Sequence, residues 1–500
     1  MRAGEFLGPK GEPVAGAPLG ALLSARAGRD GDAPALTIGE RTWTFAELER
    51  AANRRARWFA RLGVGQDEAV VITVPNGIAF YESVLACWKI GAVPAPVSWQ
   101  LTDEEFAAIL RLADPRLIVG RSIGAASCPS VGIDGSPPPD LEDVPLPPLV
   151  AASWKMATTG GSTGAPKLVV DAATGCWGPE KNAIGRRSGM AIVNPAPLYH
   201  AAPFGLIIPA ILQGCHVIEM ERFDARRWLQ LVERHAAEWV YMVPTMMARI
   251  ARLPEDEIMR HDISSIKAML HLAAPCPDWV KRFWIDRLGP DAVWEIYGGA
   301  ERLGATMING REWLDHPGSV GRPGADTLVE IRDQEGRVLP AGVVGEIHLR
   351  RASLGSTLRT DQGEVAQGGG WGTFGDMGWL DDDGYLYIAD RRTDMILCGG
   401  ANLYPSEIEA ALCRCTGVAD AVVVGLPDDD LGHRPHAIVQ AEGALPDETV
   451  LSQELSTMLA RSKHPRSFEF TQQPLRDDAG KIRRSAWRRR AIERLGAPAR

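Results

Sequence analysis

Between about residues 67 and 298 the chain alternates short apolar runs with helix-spaced segments, and this alternation limits the folds open to it. Residues 70–74 read as a buried strand and 78–90 as a helix with apolar spacing. Thr102-Asp-Glu-Glu105 is a capping box that opens a further helix and leads into a strand at 117–119. A strand at 216–220 feeds a helix over 224–236 and then a strand at 239–243. In the same way 268–272 feeds a helix over 278–288 and a strand at 293–297. Repeated strand–helix–strand units predict parallel sheets with helices on both faces, a doubly wound α/β arrangement. Ligands of such sheets sit at the carboxyl ends of strands, where the turn after Tyr297 and the stretch 158–167 are expected.

The texture changes along the chain. Residues 136–149 are too rich in proline for regular structure and read as a surface connection. After residue 320, short strands such as 345–350 and 384–388 are separated by glycine turns and predict a small β-rich subdomain. Beyond Arg391 comes a compact α+β segment, with a helix over 405–413 and strands at 421–425 and 436–440. Five hundred residues exceed a single core, and the expected division is a large domain over 1–392 and a small one over 393–500. No internal repeat is present.

Composition excludes several functions. A hydrophobic share of 45% with 23% charged residues describes an ordinary soluble globular chain, and a net charge of −9 argues against nucleic acid as a partner. Eight cysteines form no CxxC pair, so neither a zinc site nor a disulfide framework is indicated, and a reducing cytoplasm fits. The first residues lack the basic-then-apolar pattern of a signal peptide. The apolar run at 205–212 is far short of a bilayer span. The expectation is a cytoplasmic protein without a membrane span. Six basic residues between Lys481 and Arg490 suit a solvated helix face better than anion or membrane binding. The oligomeric state stays open, a homodimer included.

The chemistry centres on Thr158-Thr159-Gly160-Gly161-Ser162-Thr163-Gly164-Ala165-Pro166-Lys167. Glycines let backbone N–H groups face an anion, hydroxyls donate further bonds and a lysine adds a point charge. The spacing is not Walker A, and glycine and serine content alone would equally fit a flexible surface loop. After the strand at 293–297 comes a second glycine turn, Tyr297-Gly298-Gly299-Ala300-Glu301. A carboxylate placed there beside a phosphate loop suits Mg²⁺, which takes one or two carboxylates plus phosphate oxygens. A glutamate favoured by a helix N-terminus is the plainer explanation. Downstream lie Thr373-Phe374-Gly375-Asp376 and Asp390-Arg391, then Cys398-Gly399-Gly400-Ala401-Asn402-Leu403-Tyr404-Pro405-Ser406-Glu407, and Asp478-Ala479-Gly480-Lys481-Ile482-Arg483-Arg484.

These motifs, in this order, resemble those of the adenylate-forming superfamily: acyl-CoA synthetases, luciferases and adenylation domains. A further stretch, Asn76 to Pro96 with Lys-Ile-Gly-Ala-Val-Pro, is also similar, so the resemblance covers nearly the whole chain. It implies ATP and Mg²⁺ chemistry. Thr159, Gly160, Gly161, Ser162, Thr163, Gly164 and Lys167 would form the phosphate loop, with Ala274, Pro275, Tyr297 and Gly298 beside the nucleotide. Asp376 would hold the ribose, Arg391 a phosphate, Glu301 the metal, and Lys481 the charge that moves during adenylation. The resemblance also implies a hinge at Thr393 and a loop carrying Gly399 and Gly400 that lines a pantetheine tunnel.

Four positions depart from the family pattern, one of them the hinge residue Thr393, where the family more often has lysine or aspartate. Ala300 stands where a threonine would bond phosphate, a loss worth about 1.5–3 kcal/mol, or roughly ten- to a hundredfold. Phe374 stands in the place of the threonine of Thr-Gly-Asp, and Asp390 replaces the glycine before the arginine.

Pro197-Leu198-Tyr199-His200-Ala201-Ala202-Pro203-Phe204-Gly205 resembles the family's Pro-Leu-Phe-His-x-x-Gly stretch, between acyl pocket and pantetheine tunnel. It places His200 at the reaction and Tyr199, Ala201, Phe204, Gly205, Gly298 and Gly299 along the acyl pocket. The aspartate by which amino-acid-activating domains hold an amine is absent, which implies a plain carboxylic acid. Small residues there imply a roomy apolar pocket for an aromatic, polycyclic or long-chain acid. With no carrier module fused, CoA is the expected thiol, and Arg466 a candidate contact for its 3′-phosphate. The expected activity is therefore an acid–CoA ligase acting through an acyl-adenylate. The alternatives are an enzyme that loads a separate carrier protein, and a non-catalytic nucleotide- or acyl-binding relative.

Overall fold

The computed structural model describes residues 16–121, 123, 128–159, 167–178, 184–352, 355–367, 370–398, 401–428, 431–477 and 480–495. Gly160, Gly161, Ser162, Thr163 and Gly164 of the expected phosphate loop, and Gly399 and Gly400, lie outside the described residues.

Strand β1 (Ala69–Thr73) is buried at every position, and its β-branched side chains suit a strand covered on both faces. Helix α1 (Ile78–Lys89) returns the chain to β2 (Val93–Pro96). Helix α2 (Asp103–Ala113) opens on the expected capping box: Thr102 Oγ1 accepts from Glu105 N, and the Glu105 carboxylate accepts from Thr102 N. It leads into β3 (Leu117–Gly120), and β2, β1 and β3 form a parallel sheet with Ser130–Val131. The proline-rich connection at 136–149 has no regular structure and lies against the preceding helix, Phe45–Arg61. Asn53, Arg54 and Arg57 of that helix bond to Asp143 and Val144.

Strands β4 (Met156–Thr159) and β5 (Lys167–Asp171) pair antiparallel and join Ser356–Thr360 and Gly363–Gln367 in a separate four-stranded sheet. Thr159 and Lys167, which flank the expected phosphate loop, are thus antiparallel partners and do not lie at the carboxyl edge of a parallel sheet. The reason is length: parallel neighbours need a crossover of a dozen or more residues, and the stretch is too short for one.

Among the described residues the largest sheet has 13 strands. It uses β6 (Ala191–Asn194), α3 (Ala201–Gln213), β7 (His216–Glu219), α4 (Ala225–His235), β8 (Trp239–Met242), α5 (Pro244–Ala251), β9 (Ala268–His271), α6 (Asp278–Leu288) and β10 (Val293–Gly298). The strands order as Pro34–Ile38, β7, β6, β8, β9, β10, all parallel. At β10 the sheet turns antiparallel through β11 (Ala305–Asn309) and Ser319–Pro323. It then runs on through β12 (Asp376–Leu380) and β13 (Leu386–Arg391), which lie side by side, to Gly345–Arg351 and Thr327–Arg332. The β-rich region expected after residue 320 therefore extends the large sheet, over a core of its own around Leu303, Ile331, Ile347, Leu349 and Leu386. The expected strand at 384–388 starts later and runs further, because Gly384 occupies the turn with φ +79°.

The C-terminal segment builds α7 (Pro405–Leu412), β14 (Val418–Asp428), β15 (Gly432–Ala441) and α8 (Arg484–Leu495), with Ser467–Thr471 beside β15. Its core, including Ile408, Leu412, Val423, Val439 and Leu451, is separate from that of the preceding chain. The basic run on α8 is more than a solvated face. Arg484 bonds Glu409, Asp394 and the Val423 carbonyl, Arg494 pairs with Glu469, and Arg488 meets His433.

Candidate active site

A cleft of about 2530 Å³ is lined by residues from both parts of the chain. The carboxyl ends of β9 and β10 deliver Ala274, Pro275 and the turn Tyr297–Arg302. The start of α3 delivers Tyr199, His200, Ala201 and Gly205, and β12 and β13 deliver Asp376 and Arg391. Thr158, Lys167, the turn residue Thr393 and Lys481 complete the wall.

Antiparallel pairing sets Asp376 directly opposite Arg391, with their charged groups 3.4 Å apart. From β10 the Tyr297 hydroxyl donates to Asp376 Oδ2 at 2.7 Å. Burial, then the neighbouring Asp376 charge, push the Tyr297 phenol well above its ordinary value, so it remains a donor. The ring of Phe374 stands edge-on to Tyr297, with centroids 5.9 Å apart. It fills the space that Gly299 leaves: a Cβ there would lie 2.5 Å from Phe374 Cε1 and 2.6 Å from Glu301 Oε2. Asp390 is also accounted for. Its carboxylate accepts from Arg391 N and from Ser406 N, both at 2.7 Å, tying the end of β13 to the start of α7. Burial raises it to about 6 against the pull of Arg484.

Lys481 reaches this group from the C-terminal segment. Gly480, at φ +75°, packs on Thr245 at the start of α5, and Lys481 N donates to Asp477 Oδ1 at 2.9 Å. Its ammonium is drawn below the ordinary lysine value by surrounding protein and by Arg391, while Asp477 and Glu301 pull the other way. Burial, then the Lys481 charge, lower His200 to about 3, so its imidazole is neutral; its Nε2 has no partner among the described residues. Lys481, Glu301, Arg391 and His200 thus share one electrostatic neighbourhood.

Among the described residues no three His, Cys, Asp or Glu side chains gather as a metal cage. Glu301 lines the cleft, and a single carboxylate is the kind of donor that Mg²⁺ takes when anionic oxygens and water complete its shell.

Two expected residues stand elsewhere. Phe204 is absent from the cleft wall: it is fully buried among Phe80, Trp88 and Trp154, on the core face of α3. Arg466 is exposed and outside the cleft wall, with its backbone N–H bonded to Pro435 O. Conversely, Lys155, Asp171 and Arg302 line the cleft without any motif to announce them. Arg302 Nη1 binds both oxygens of the buried Asp171 carboxylate, at 2.8 and 2.7 Å, across 131 residues of chain.

Comparison with known proteins agrees with this geometry. Residues 23–358 match the model for AMP-binding enzymes, and 407–481 match that for the AMP-binding enzyme C-terminal domain. A feruloyl-CoA synthase from Amycolatopsis sp. is 31% identical, over 94% of this chain and 99% of that protein. The long-chain-fatty-acid–CoA ligase FadD13 of Mycobacterium tuberculosis is 28% identical, over 89% and 92%. In fold, the chain is similar to o-succinylbenzoate CoA synthetase (MenE) from Bacillus subtilis in complex with its acyl-adenylate intermediate. That match has a TM-score of 0.79 at 24% identity and covers 93% of this chain and 97% of the other.

Proposed function

The chain belongs to the AMP-binding enzyme family, and on that premise we propose that it is an ATP-dependent acid–CoA ligase working in two steps. The observation that carries this reading is the convergence of Lys481 with Glu301, Arg391 and His200 on one cleft.

In the first step the substrate carboxylate attacks the α-phosphorus of ATP and pyrophosphate leaves. Negative charge gathers on the pentacoordinate phosphorus, and a fixed cation at that place lowers the barrier. Lys481 supplies it. Asp376 receives the ribose hydroxyls while its other contacts, Tyr297 and Arg391, hold the carboxylate still. Glu301 would hold Mg²⁺, which shields the phosphate charges when bound. In the second step the C-terminal segment turns about Thr393, Lys481 withdraws, and a thiol attacks the acyl carbon as AMP departs. Neutral His200 lies where the acyl carbon is expected and orients without adding charge. CoA is the favoured thiol because the similar proteins above are named for CoA thioesters. Those names cover different acids, so the acid is read from the cleft: a bulky, largely apolar one, in keeping with Ala201, Ala202, Gly205, Gly298 and Gly299 on its walls.

The test is mass spectrometry of products from Mg·ATP, CoA and a mixed panel of aromatic, polycyclic and fatty acids. A single acyl-CoA mass is the expected result. Acyl-adenylate and AMP without thioester would move the acceptor to a carrier protein. No adenylate from any acid, together with tight ATP binding, would make the chain a non-catalytic relative.

A further inference from the structure

Lys155 is a buried cation on the wall of a cleft otherwise suited to an apolar acid. The residue is 8% exposed. Its ammonium donates to the Ala201 carbonyl at 3.3 Å. It stands 4.8 Å from the ring centroid of Trp154 and 5.9 Å from that of Phe204, whose aromatic faces attract a cation without offering a hydrogen-bond acceptor. A Cβ added to Gly205 would come 3.8 Å from Nζ, so the ammonium lies directly beside the small-residue face of α3.

The nearest source of negative charge, Asp171, is already bound through both oxygens by Arg302. Among the described residues no carboxylate pairs with Lys155 within 4.0 Å. An ammonium has three N–H donors, and one is used. A buried cation left so incompletely satisfied is costly unless something else completes its shell. Burial lowers its ammonium to about 8, with Asp171 opposing and Arg302 adding to the shift, which keeps it charged at neutral pH.

We propose that the acid carries, besides the carboxylate that is activated, a second oxygen acceptor that docks on Lys155. A phenolic hydroxyl, a second carboxylate or another oxyanion has the required chemistry. The acyl chamber then reads the substrate by a charged contact at one end of an apolar space bounded by Trp154, Trp177, Ala202, Gly205 and Pro209. This rests on the reading above of the α3 side as the acyl pocket. The contact is one of recognition, and Lys155 takes no part in bond making.

The experiment uses the full chain and pairs of benzoic, cinnamic and phenylpropionic acids that differ only in a hydroxyl or carboxyl group on the ring carbon opposite the chain. Calorimetry measures binding, and pyrophosphate release measures turnover. The wild type should prefer the acceptor-bearing member of at least one pair by about ten- to a hundredfold. Lys155→Met should cut that preference to within about threefold, mainly through KM, and Lys155→Arg should keep part of it. Equal use of both members by the wild type overturns the proposal. So does a Lys155→Met variant that loses both members equally, since that is the signature of a structural lysine. Thioester formation without any preference leaves the ligase reading standing and removes this one. A Lys155-dependent preference in binding, with no adenylate from any acid, does the reverse.

Discussion

The Tyr297 hydroxyl and the Asp376 carboxylate are joined at 2.7 Å across the floor of the cleft, from strands 79 residues apart in the chain. The bond fixes the orientation of Asp376, the carboxylate proposed above to receive the ribose hydroxyls. Tyr297→Phe removes the tether and leaves a buried carboxylate one donor short, at a cost of about 1–3 kcal/mol. The expected outcome is a KM for ATP raised roughly tenfold or more, with the KM for the acid nearly unchanged. Steady-state pyrophosphate release, with ATP varied at saturating acid, measures it. An unchanged KM for ATP would mean that Asp376 holds its place without the phenol.

Gly299 and Phe374 are matched. Gly299→Ala puts a methyl group 2.5 Å from the Phe374 ring and 2.6 Å from the Glu301 carboxylate, so these side chains must shift. Adenylation should fall by about a hundredfold, since a misplacement near 1 Å has that effect, without loss of the folded state by circular dichroism. The double variant Gly299→Ala/Phe374→Gly frees the space and should recover much of the rate. If it does not, the clash is with the glutamate alone.

Ala300 offers the opposite test. It lines the cleft beside Glu301 without a polar atom on its side chain. Ala300→Thr adds a donor toward the phosphates worth about 1.5–3 kcal/mol when the partner is charged. The expected result is a KM for ATP lowered roughly tenfold or more. No change would show that the cleft supplies that hydrogen bond by another route.

What could be read from the sequence follows from how local each feature is. The capping box at Thr102 and the helix Asp278–Leu288 depend on neighbours in the chain, and both stand where the pattern put them. Lys481, Glu301 and Arg391 were legible as motif positions, but their meeting in one cleft is a property of the packed sheets. Lys155 was not legible. It is one lysine in Ser-Trp-Lys-Met-Ala, and only the approach of Ala201 and Gly205, nearly fifty residues on, makes it a pocket residue. A lysine opening an apolar strand was the available hint. The Asp171–Arg302 pair was hidden in the same way. Phe204 was misplaced because helix α3 is apolar nearly all round, and no periodicity tells its core face from its cleft face.

Lys89, in the Lys-Ile-Gly-Ala-Val-Pro stretch, proves to be structural. Its ammonium lies 2.7 Å from Glu49 Oε2, both groups are buried, and it also bonds Ser24 and the Gly20 carbonyl. Burial lowers its pKa even so, with Glu49 opposing. Lys89→Met leaves an uncompensated buried carboxylate, which costs about 3–5 kcal/mol. Tm should fall substantially, and the KM values of whatever protein remains folded should be unchanged. Replacing both partners together, Glu49→Leu with Lys89→Met, should restore most of the loss. Thermal melts by calorimetry separate these outcomes.

The pH dependence of adenylation follows from two cleft residues, Lys481 and His200, the first of which lowers the pKa of the second. Lys481 acts as an ammonium, and its surroundings draw its pKa below the usual 10.5. The active form is lost as pH rises through the lowered value, so the alkaline limb falls earlier than for an ordinary lysine. His200 titrates only near 3. No acid limb should appear near 6.5, because the imidazole is already neutral on both sides of that value. A profile of pyrophosphate release should thus show only the alkaline descent, reached at lower pH than for an ordinary lysine. A limb near 6.5 would make His200 a titrating base and contradict its burial. Lys481→Ala should remove the alkaline limb together with roughly a hundred- to a thousandfold of the adenylation rate, the range for losing one preorganised charge contact. Thioester formation from supplied acyl-adenylate should stay within a few-fold of wild type, because Lys481 has withdrawn by then. Equal loss of both half-reactions would place Lys481 in the fold instead of in the first step.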